Sequence, residues 1–234
     1  MSDPAPGRLL AVGDIHGCAH ALDLLLADIN PHGADRIVAL GDYVDRGPDS
    51  RGVLDRLIAL HRRGLLIPLR GNHELMMLRA RDGREESRYW MTFGGAETLD
   101  SYDAPGRAAL LDDVPELHWH FLEDLCHNYY DAETHFFVHA NADPALPLDQ
   151  QPERELQWNG FDDRGPHCSG KVMVCGHTQQ ASGWPRSTEH AVCIDTHAYG
   201  GGWLTCLDVA TGHFWQANER GQRRTGNLAD LIPH

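Results

Sequence analysis

Several apolar runs near the start of the chain end abruptly at a glycine. In RLLAVGDIHG, RIVALGDYVDRG and GLLIPLRGNHE, a short apolar stretch gives way there to carboxylates, imidazoles and arginines. Runs of this length without polar alternation read as strands buried on both faces. Between them, CAHALDLLLADI and SRGVLDRLIALHRR carry apolar residues at helical spacing, the second just after Pro48. Strand, loop and helix repeating at about 30 residues predict βαβ construction around a buried, partly parallel sheet.

The second half is strand-rich. NYYDAETHFFVHAN predicts a hairpin that turns near Asp131 to Glu133 and ends at His139, and KVMVCGHT runs apolar into His177. HAVCIDTHAYGGGWLTCLDVATGHFWQAN predicts a meander of three short strands, turning at Gly200 to Gly202 and at ATGH. These strands predict a second, mostly antiparallel sheet packed on the first, with helices outside. Residues 75–125 are charged and irregular, with helical pieces such as ELHWHFLEDL, and predict a helical insertion beside the strand ends. In WMTFGGAETLDSY the glycines predict a tight turn between helical pieces. The segment ADPALPLDQQPE, 142–153, predicts a loop reaching over a bound substrate. Past Asn218 the tail is polar, with LADLI as a short packed segment.

The polar residues fall just past the carboxyl ends of strands, where open α/β sheets gather ligands. Right-handed crossovers carry successive loops to one sheet edge. Asp14, His16, Asp42, Asp45, Arg46, Asn72 and His73 are therefore expected as neighbours, with His139 and His177 completing a ring. Unpaired, such groups cost several kcal/mol on the order of a lost hydrogen bond or more to bury. A metal ion would use them.

Composition narrows the partners. With 234 residues, 41% of them hydrophobic, the chain can bury a sizeable core and is read as one domain, 1–234. A net charge of −14 disfavours an extended nucleic-acid track, which rests on Lys and Arg, so an anionic substrate needs positive charge supplied locally. The start MSDPAPG lacks the charge and apolar stretch of a signal peptide, and no run reaches the roughly 18 apolar residues of a membrane span. A cytoplasmic protein with no membrane contact is expected. The six cysteines are scattered without a CxxC pair, as buried, reduced thiols would be.

The strings GDIHG, GDYVDRG, GNHE, VHA and GHT occur in this order between residues 13 and 178, followed by IDT at 194–196. Together they resemble the signature of the phosphoprotein phosphatase branch of the calcineurin-like metallophosphoesterases. Trp90, Gly94, Gly95 and Thr98 resemble the W…GG…T segment of the short bacterial and lambda-phage phosphatases. The resemblance implies an α/β fold of metallophosphoesterase type: a two-sheet β-sandwich flanked by helices (α/β/β/α). It further implies two divalent metal ions, one held by Asp14, His16 and Asp42 and the other by Asp42, Asn72, His139 and His177, with Asp42 bridging. This mixture of imidazole, carboxylate and amide suits Mn, with Fe or Zn as other fits.

The same resemblance implies that a water activated between the ions attacks phosphorus. His73 then protonates the leaving oxygen, Asp45 orients His73, and Arg46 and Arg70 contact the phosphate. Three departures stand out. In QWNGFDDR, Gly160 occupies the place of a further family arginine, so that either Arg164 reaches in from the same loop or the substrate is held differently. Asn141 after VHA and His197 after IDT stand where glycine is usual, each either facing the substrate or serving as a turn residue. The expected activity is metal-dependent hydrolysis of phosphoserine or phosphothreonine in a phosphoprotein or phosphopeptide, with aryl phosphates also accepted. The alternative is a symmetrical bis(5'-nucleosyl)-tetraphosphatase, which GNHE in place of GNHD argues against. A non-catalytic scaffold is a third reading, opposed by the presence of both Asp42 and His73.

Overall fold

The computed structural model describes residues 7–102 and 104–231; most of the polar start MSDPAPG and the end of LADLI lie outside them. The first sheet is built on β1 (Leu9–Val12), β2 (Arg36–Ala39) and β3 (Leu66–Pro68), in parallel register with Leu10 beside Ile37 and Ile37 beside Leu66. Helices α1 (Ala19–Ile29) and α2 (Ser50–Arg62) connect them. Helix α1 buries Ala21, Leu22, Leu25 and Ile29 and stops at Asn30, whose left-handed backbone returns its N–H to the Leu26 carbonyl. In α2 the Asp49 carboxylate caps the amino end by accepting from the Gly52 N–H.

Alternation along the strands sorts the core into layers. Leu10, Val12, Ile37, Ala39 and Leu66 face the helices, whereas Ala11, Val38 and Leu40 face a second sheet and pack against Phe137, Val174, Val192 and Ile194. That sheet consists of β4 (Tyr129–Asp131), β5 (His135–Val138), β6 (Val172–Cys175), β7 (Arg186–Ser187) and β8 (Ala191–Cys193), in the order β4-β5-β6-β8-β7. Phe136, Val138, Met173 and Cys193 point to its outer side, under Leu148, Leu156 and Phe161. The layers are therefore helix, sheet, sheet and outer cover, the metallophosphoesterase-type α/β sandwich.

Two expectations about the second half are corrected. The second sheet is mixed: β5, β6 and β8 run parallel, with antiparallel pairing only at its edges through β4 and β7. VMVC and AVC are apolar throughout, so both faces must be covered, a requirement of central parallel strands. The meander is split as well. After β8 the chain crosses to the first sheet, where β9 (Leu204–Asp208) pairs antiparallel with β1, followed by β10 (His213–Ala217). An edge strand, β11 (Arg223–Asn227), comes from the polar tail. Its RRTGN sequence has the solvated character of sheet edges and carries no apolar signal.

Within 75–125 lie the end of α3 (Asn72–Arg79), α4 (Arg84–Trp90), α5 (Ala96–Asp100) and α6 (Glu116–His120), with turns and a short 3₁₀ segment, Leu111–Asp113, between the last two. A kink at Met91–Gly95, where Gly94 takes φ 110°, joins α4 to α5, and a π-helical turn, Phe121–Leu125, follows α6. The loop 142–153, expected to reach over a substrate, instead folds back on itself. The Gln151 side chain bonds Asp143 and Leu146, and Leu148 is buried on the outer face of the second sheet. Helix α7 (Glu153–Gln157) follows. Five of the cysteines are buried thiols and Cys168 is exposed. No helix among the described residues is long and apolar enough to cross a membrane.

Candidate active site

Loops at the ends of β1, β2, β3, β5 and β6 meet at one edge of the sandwich, bringing Asp14, His16, Asp42, Asn72, His139 and His177 together. The backbone there is strained. Seven described non-glycine residues have left-handed φ; Asn30 ends α1, and the other six are His16, Asp42, Asp45, Arg46, His177 and His197. Each such residue costs of order 1–3 kcal/mol and persists only where its surroundings over-determine it. Glu74, fully buried, provides much of that constraint. Its carboxylate accepts N–H groups from Gly71 (2.8 Å), Asp42 (2.8 Å), Tyr43 (2.7 Å) and Val44 (3.4 Å), tying the second loop to the start of α3.

Three imidazoles have their tautomers set by backbone carbonyls. His16 Nδ1 lies 2.8 Å from the Val44 oxygen, His139 Nδ1 2.9 Å from that of Leu40, and His177 Nε2 3.1 Å from that of Trp158. A carbonyl oxygen can only accept, so these nitrogens carry the protons and the opposite nitrogens present lone pairs. His16 Nε2 faces Asp42 Oδ2 at 3.4 Å, while His139 Nε2 faces Asp42 Oδ1 at 3.4 Å and Asn72 Oδ1 at 2.9 Å. His177 Nδ1 faces the same Asn72 oxygen at 3.1 Å. Burial holds the rings neutral, lowering His16 to about 3 and His139 to about 4. Acceptors thus confront acceptors inside a buried site, an arrangement that fits a cation and little else.

The ligand atoms of His16, Asp42 and His73 lie within 4.8 Å of one another, as do those of Asp42, His139 and His177, with Asp42 common to both groups. Asp14 accepts the His177 N–H on both oxygens, at 3.1 and 3.0 Å. Burial, reinforced by the charges of Asp195 and Asp42, pushes its carboxyl pKa up, and burial pushes Asp195 up to about 7. Three carboxylates this close repel one another unless positive charge joins them.

His73 is the second residue of α3, directly after Asn72, and its Nδ1 lies 2.7 Å from Asp45 Oδ2. Burial opposes its protonation, but the Asp42 charge and the Asp45 hydrogen bond prevail and raise its pKa above the ordinary value. Burial pushes Asp45 up too, against its donors. Both Asp45 oxygens accept from the Trp90 indole N–H at 3.0 Å, and Oδ1 also accepts from the Thr98 hydroxyl at 2.7 Å. A carboxyl so surrounded by donors is ionised, so the pair stands as imidazolium and carboxylate.

The insertion is therefore part of the site. Trp90 and Thr98 straddle this kink, which places both donors on one carboxylate. Gly94, at φ 110°, lies so close to Arg46 that a Cβ would come within 2.6 Å of the Arg46 nitrogen. Gly95 packs on the Trp90 indole with equally little room. The W…GG…T spacing has this physical cause.

The two arginines differ. Arg46 faces the cluster, with Nη1 3.5 Å from His16 Nε2 and 2.9 Å from the Tyr199 hydroxyl. Arg70 turns away, its guanidinium donating to the carbonyls of Leu122, Glu123 and Cys126 at the end of the π turn after α6. Arg164 pairs with Glu155 at 3.1 Å rather than reaching inward. Two departures from the family pattern prove to be partners: Asn141 Nδ2 donates to the Gly160 carbonyl at 2.8 Å. His197 stacks edge-on against Tyr199. Sequence reasoning passed over Glu74, Tyr199 and Asp195; the last amino acid of GNHE, at the third position of α3, was the signal available for Glu74.

The sequence model of the calcineurin-like phosphoesterases matches residues 7–181. The chain is 34% identical over 208 residues to serine/threonine-protein phosphatase 1 of Salmonella typhimurium, a match covering 85% of this chain and 90% of that protein. It is 31% identical over 172 residues to the symmetrical bis(5'-nucleosyl)-tetraphosphatase of Methylobacillus flagellatus, covering 70% of this chain and 56% of that one. The solved structure of a cold-active protein-tyrosine phosphatase of a psychrophilic Shewanella species superposes with a TM-score of 0.60 over 94% of this chain and 80% of its own, at 17% identity, a likeness of fold alone. From the ordered site, the sandwich and these matches together, the chain belongs to the calcineurin-like phosphoesterase family.

Proposed function

We propose that this protein is a metal-dependent phosphomonoester hydrolase acting on phosphoserine or phosphothreonine in proteins and peptides. The observation that carries the reading is the buried set of lone pairs around Asp42 beside the hydrogen-bonded His73–Asp45 pair. Asp14, His16 and Asp42 would hold one divalent ion and Asp42, Asn72, His139 and His177 another, with Mn suited to the mixed donors and Fe or Zn as other fits. Ions there supply positive charge against the phosphate oxygens and acidify the attacking water. Arg46 orients the phosphate through N–H groups that point into the site. Protonated His73 gives its Nε2 proton to the departing alkoxide, and Asp45 keeps the ring aligned and charged. Residues 1–234 act as one catalytic domain.

Protein-phosphatase activity is favoured over dinucleotide cleavage because the Salmonella phosphatase is matched along nearly its whole length, whereas the tetraphosphatase is matched over about half. The second reading retains support from the 31% identity to that tetraphosphatase. Metal-stripped protein, reloaded with Mn, Zn, Mg or nothing, should hydrolyse a phosphoserine peptide and p-nitrophenyl phosphate only with metal. Cleavage of diadenosine tetraphosphate alone would overturn the substrate assignment, and inactivity with every metal would overturn the enzyme reading.

A further inference from the structure

Tyr199 takes part in no role assigned so far, yet it touches more of the site than any other residue of the loop after Asp195. Its hydroxyl accepts from Arg46 Nη1 at 2.9 Å and from Gln179 Nε2 at 2.5 Å. Its ring lies 4.8 Å beneath the Arg46 guanidinium carbon and stands edge-on to His16 and His197, with centroids 4.9 and 4.7 Å away. The loop carrying it is closed: the Gly200 and Gly202 N–H groups both return to the His197 carbonyl, and Trp203 pairs with Thr196. His197 itself is fixed in a left-handed conformation, its ring filling the space that a Cβ at Gly200 would need.

A phenolic hydroxyl has two acceptor lone pairs and one O–H. Arg46 and Gln179 occupy the acceptor side, so the Tyr199 O–H is left to donate, and it has no acceptor among the described residues. Arg46 is in the same condition: Nη1 is engaged, while Nε and Nη2 make no hydrogen bond among those residues. Both groups line an open groove with Phe93, Gly94 and Glu97, of about 430 Å³, beside the His16 and His73 rings. The other arginines considered for the phosphate are occupied elsewhere, Arg70 by three carbonyls and Arg164 by Glu155, and Gly160 offers only a carbonyl already taken by Asn141.

We propose that Tyr199 is a substrate-binding and positioning residue: it holds the Arg46 guanidinium from below and gives its own O–H to a phosphate oxygen, standing in for the arginine that Gly160 lacks. The proposal rests on the phosphate reading of Arg46. Held by a ring face and a hydroxyl, the guanidinium keeps its free edge toward the phosphate and loses little freedom on binding.

The test uses full-length, Mn-loaded protein. KM and kcat for a phosphopeptide and the competitive inhibition constant of inorganic phosphate are measured for wild type, Tyr199→Phe, Arg46→Ala and the double variant, with bound metal counted in each. Tyr199→Phe keeps the ring, hence its packing on His16, and removes only the hydroxyl. It should raise KM and the phosphate inhibition constant by about tenfold, as loss of a hydrogen bond to a charged group does, with a smaller change in kcat and unchanged metal content. The double variant should bind phosphate more weakly than Arg46→Ala, but by less than the loss Tyr199→Phe causes alone, because the hydroxyl's own bond to phosphate is still removed while its hold on Arg46 no longer counts. If Arg46→Ala weakens phosphate and Tyr199→Phe does not, the Tyr199 proposal falls and the Arg46 reading stands. If Arg46→Ala leaves phosphate binding intact, the Arg46 reading falls and takes the proposal with it. Loss of metal in Tyr199→Phe would also overturn it, by making the hydroxyl a support for His16.

Discussion

Replacing Asp45 with Asn tests the acid chemistry at its source. The carboxylate sits 2.7 Å from His73 Nδ1 in a site where neither group reaches solvent. A hydrogen bond to a charged group is worth about 1.5–3 kcal/mol, and one pKa unit corresponds to about 1.4 kcal/mol. Loss of the charge should therefore lower the His73 pKa by about one to two units. Because the acid must be protonated to act, and the carboxylate raises its folded pKa, activity is present below that pKa and lost as pH rises through it. In Asp45→Asn the alkaline limb of kcat/KM should move to lower pH by the same one to two units, and neutral-pH turnover of a phosphoserine peptide should fall about 10- to 100-fold. p-Nitrophenyl phosphate, whose leaving group needs no proton, should lose far less. The assay is kcat/KM against pH on both substrates, with metal content and melting temperature measured alongside, since Trp90 and Thr98 also lose an acceptor in the variant. Equal losses on the two substrates, or an alkaline limb that stays in place, would refute the assignment of His73 as the acid and Asp45 as its support.

Other regions yield further predictions. Arg70→Ala should lower the melting temperature through the freed carbonyls of Leu122, Glu123 and Cys126, by about 1–3 kcal/mol of stability, with KM unchanged; a raised KM in a stable variant would restore Arg70 to the phosphate site. Gly94→Ala forces a Cβ to within 2.6 Å of the Arg46 backbone at φ 110°, so kinetics should show a raised KM at little cost in helix content by circular dichroism; wild-type kinetics would mean the turn yields freely. Burial pushes Asp35 up, but the Arg8 guanidinium and nearby N–H groups win and hold it at about 2. The resulting stability, up to about 2 kcal/mol, is present above the unfolded-state value near 4 and lost as pH falls through 2. Acid-unfolding curves should thus flatten between those pH values in Asp35→Asn, and an unchanged slope would count against the pairing.

Much of the protein is written locally. Strand-length apolar runs broken by glycine, and helical spacing between them, determine the first parallel strands and their crossovers, because those signals arise within a few residues and need no distant partner. The ring of Asp14, His16, Asp42, Asn72, His139 and His177 follows from the same logic, since every member lies just past the carboxyl end of a strand. What tertiary structure decided depends on which surfaces meet. AVC and LTCLD are both fully buried strands, yet they join different sheets, a choice set by which face each had left to cover. RRTGN became a strand only because β10 offered an edge. Arg46 and Arg70 carry the same guanidinium, and only the carbonyls at the π turn after α6 drew Arg70 aside. Tyr199 lies 153 residues from Arg46, so no local pattern links them. Their contact exists because β8 and β9 lie in opposite sheets and the loop between them crosses the rim where the site is formed.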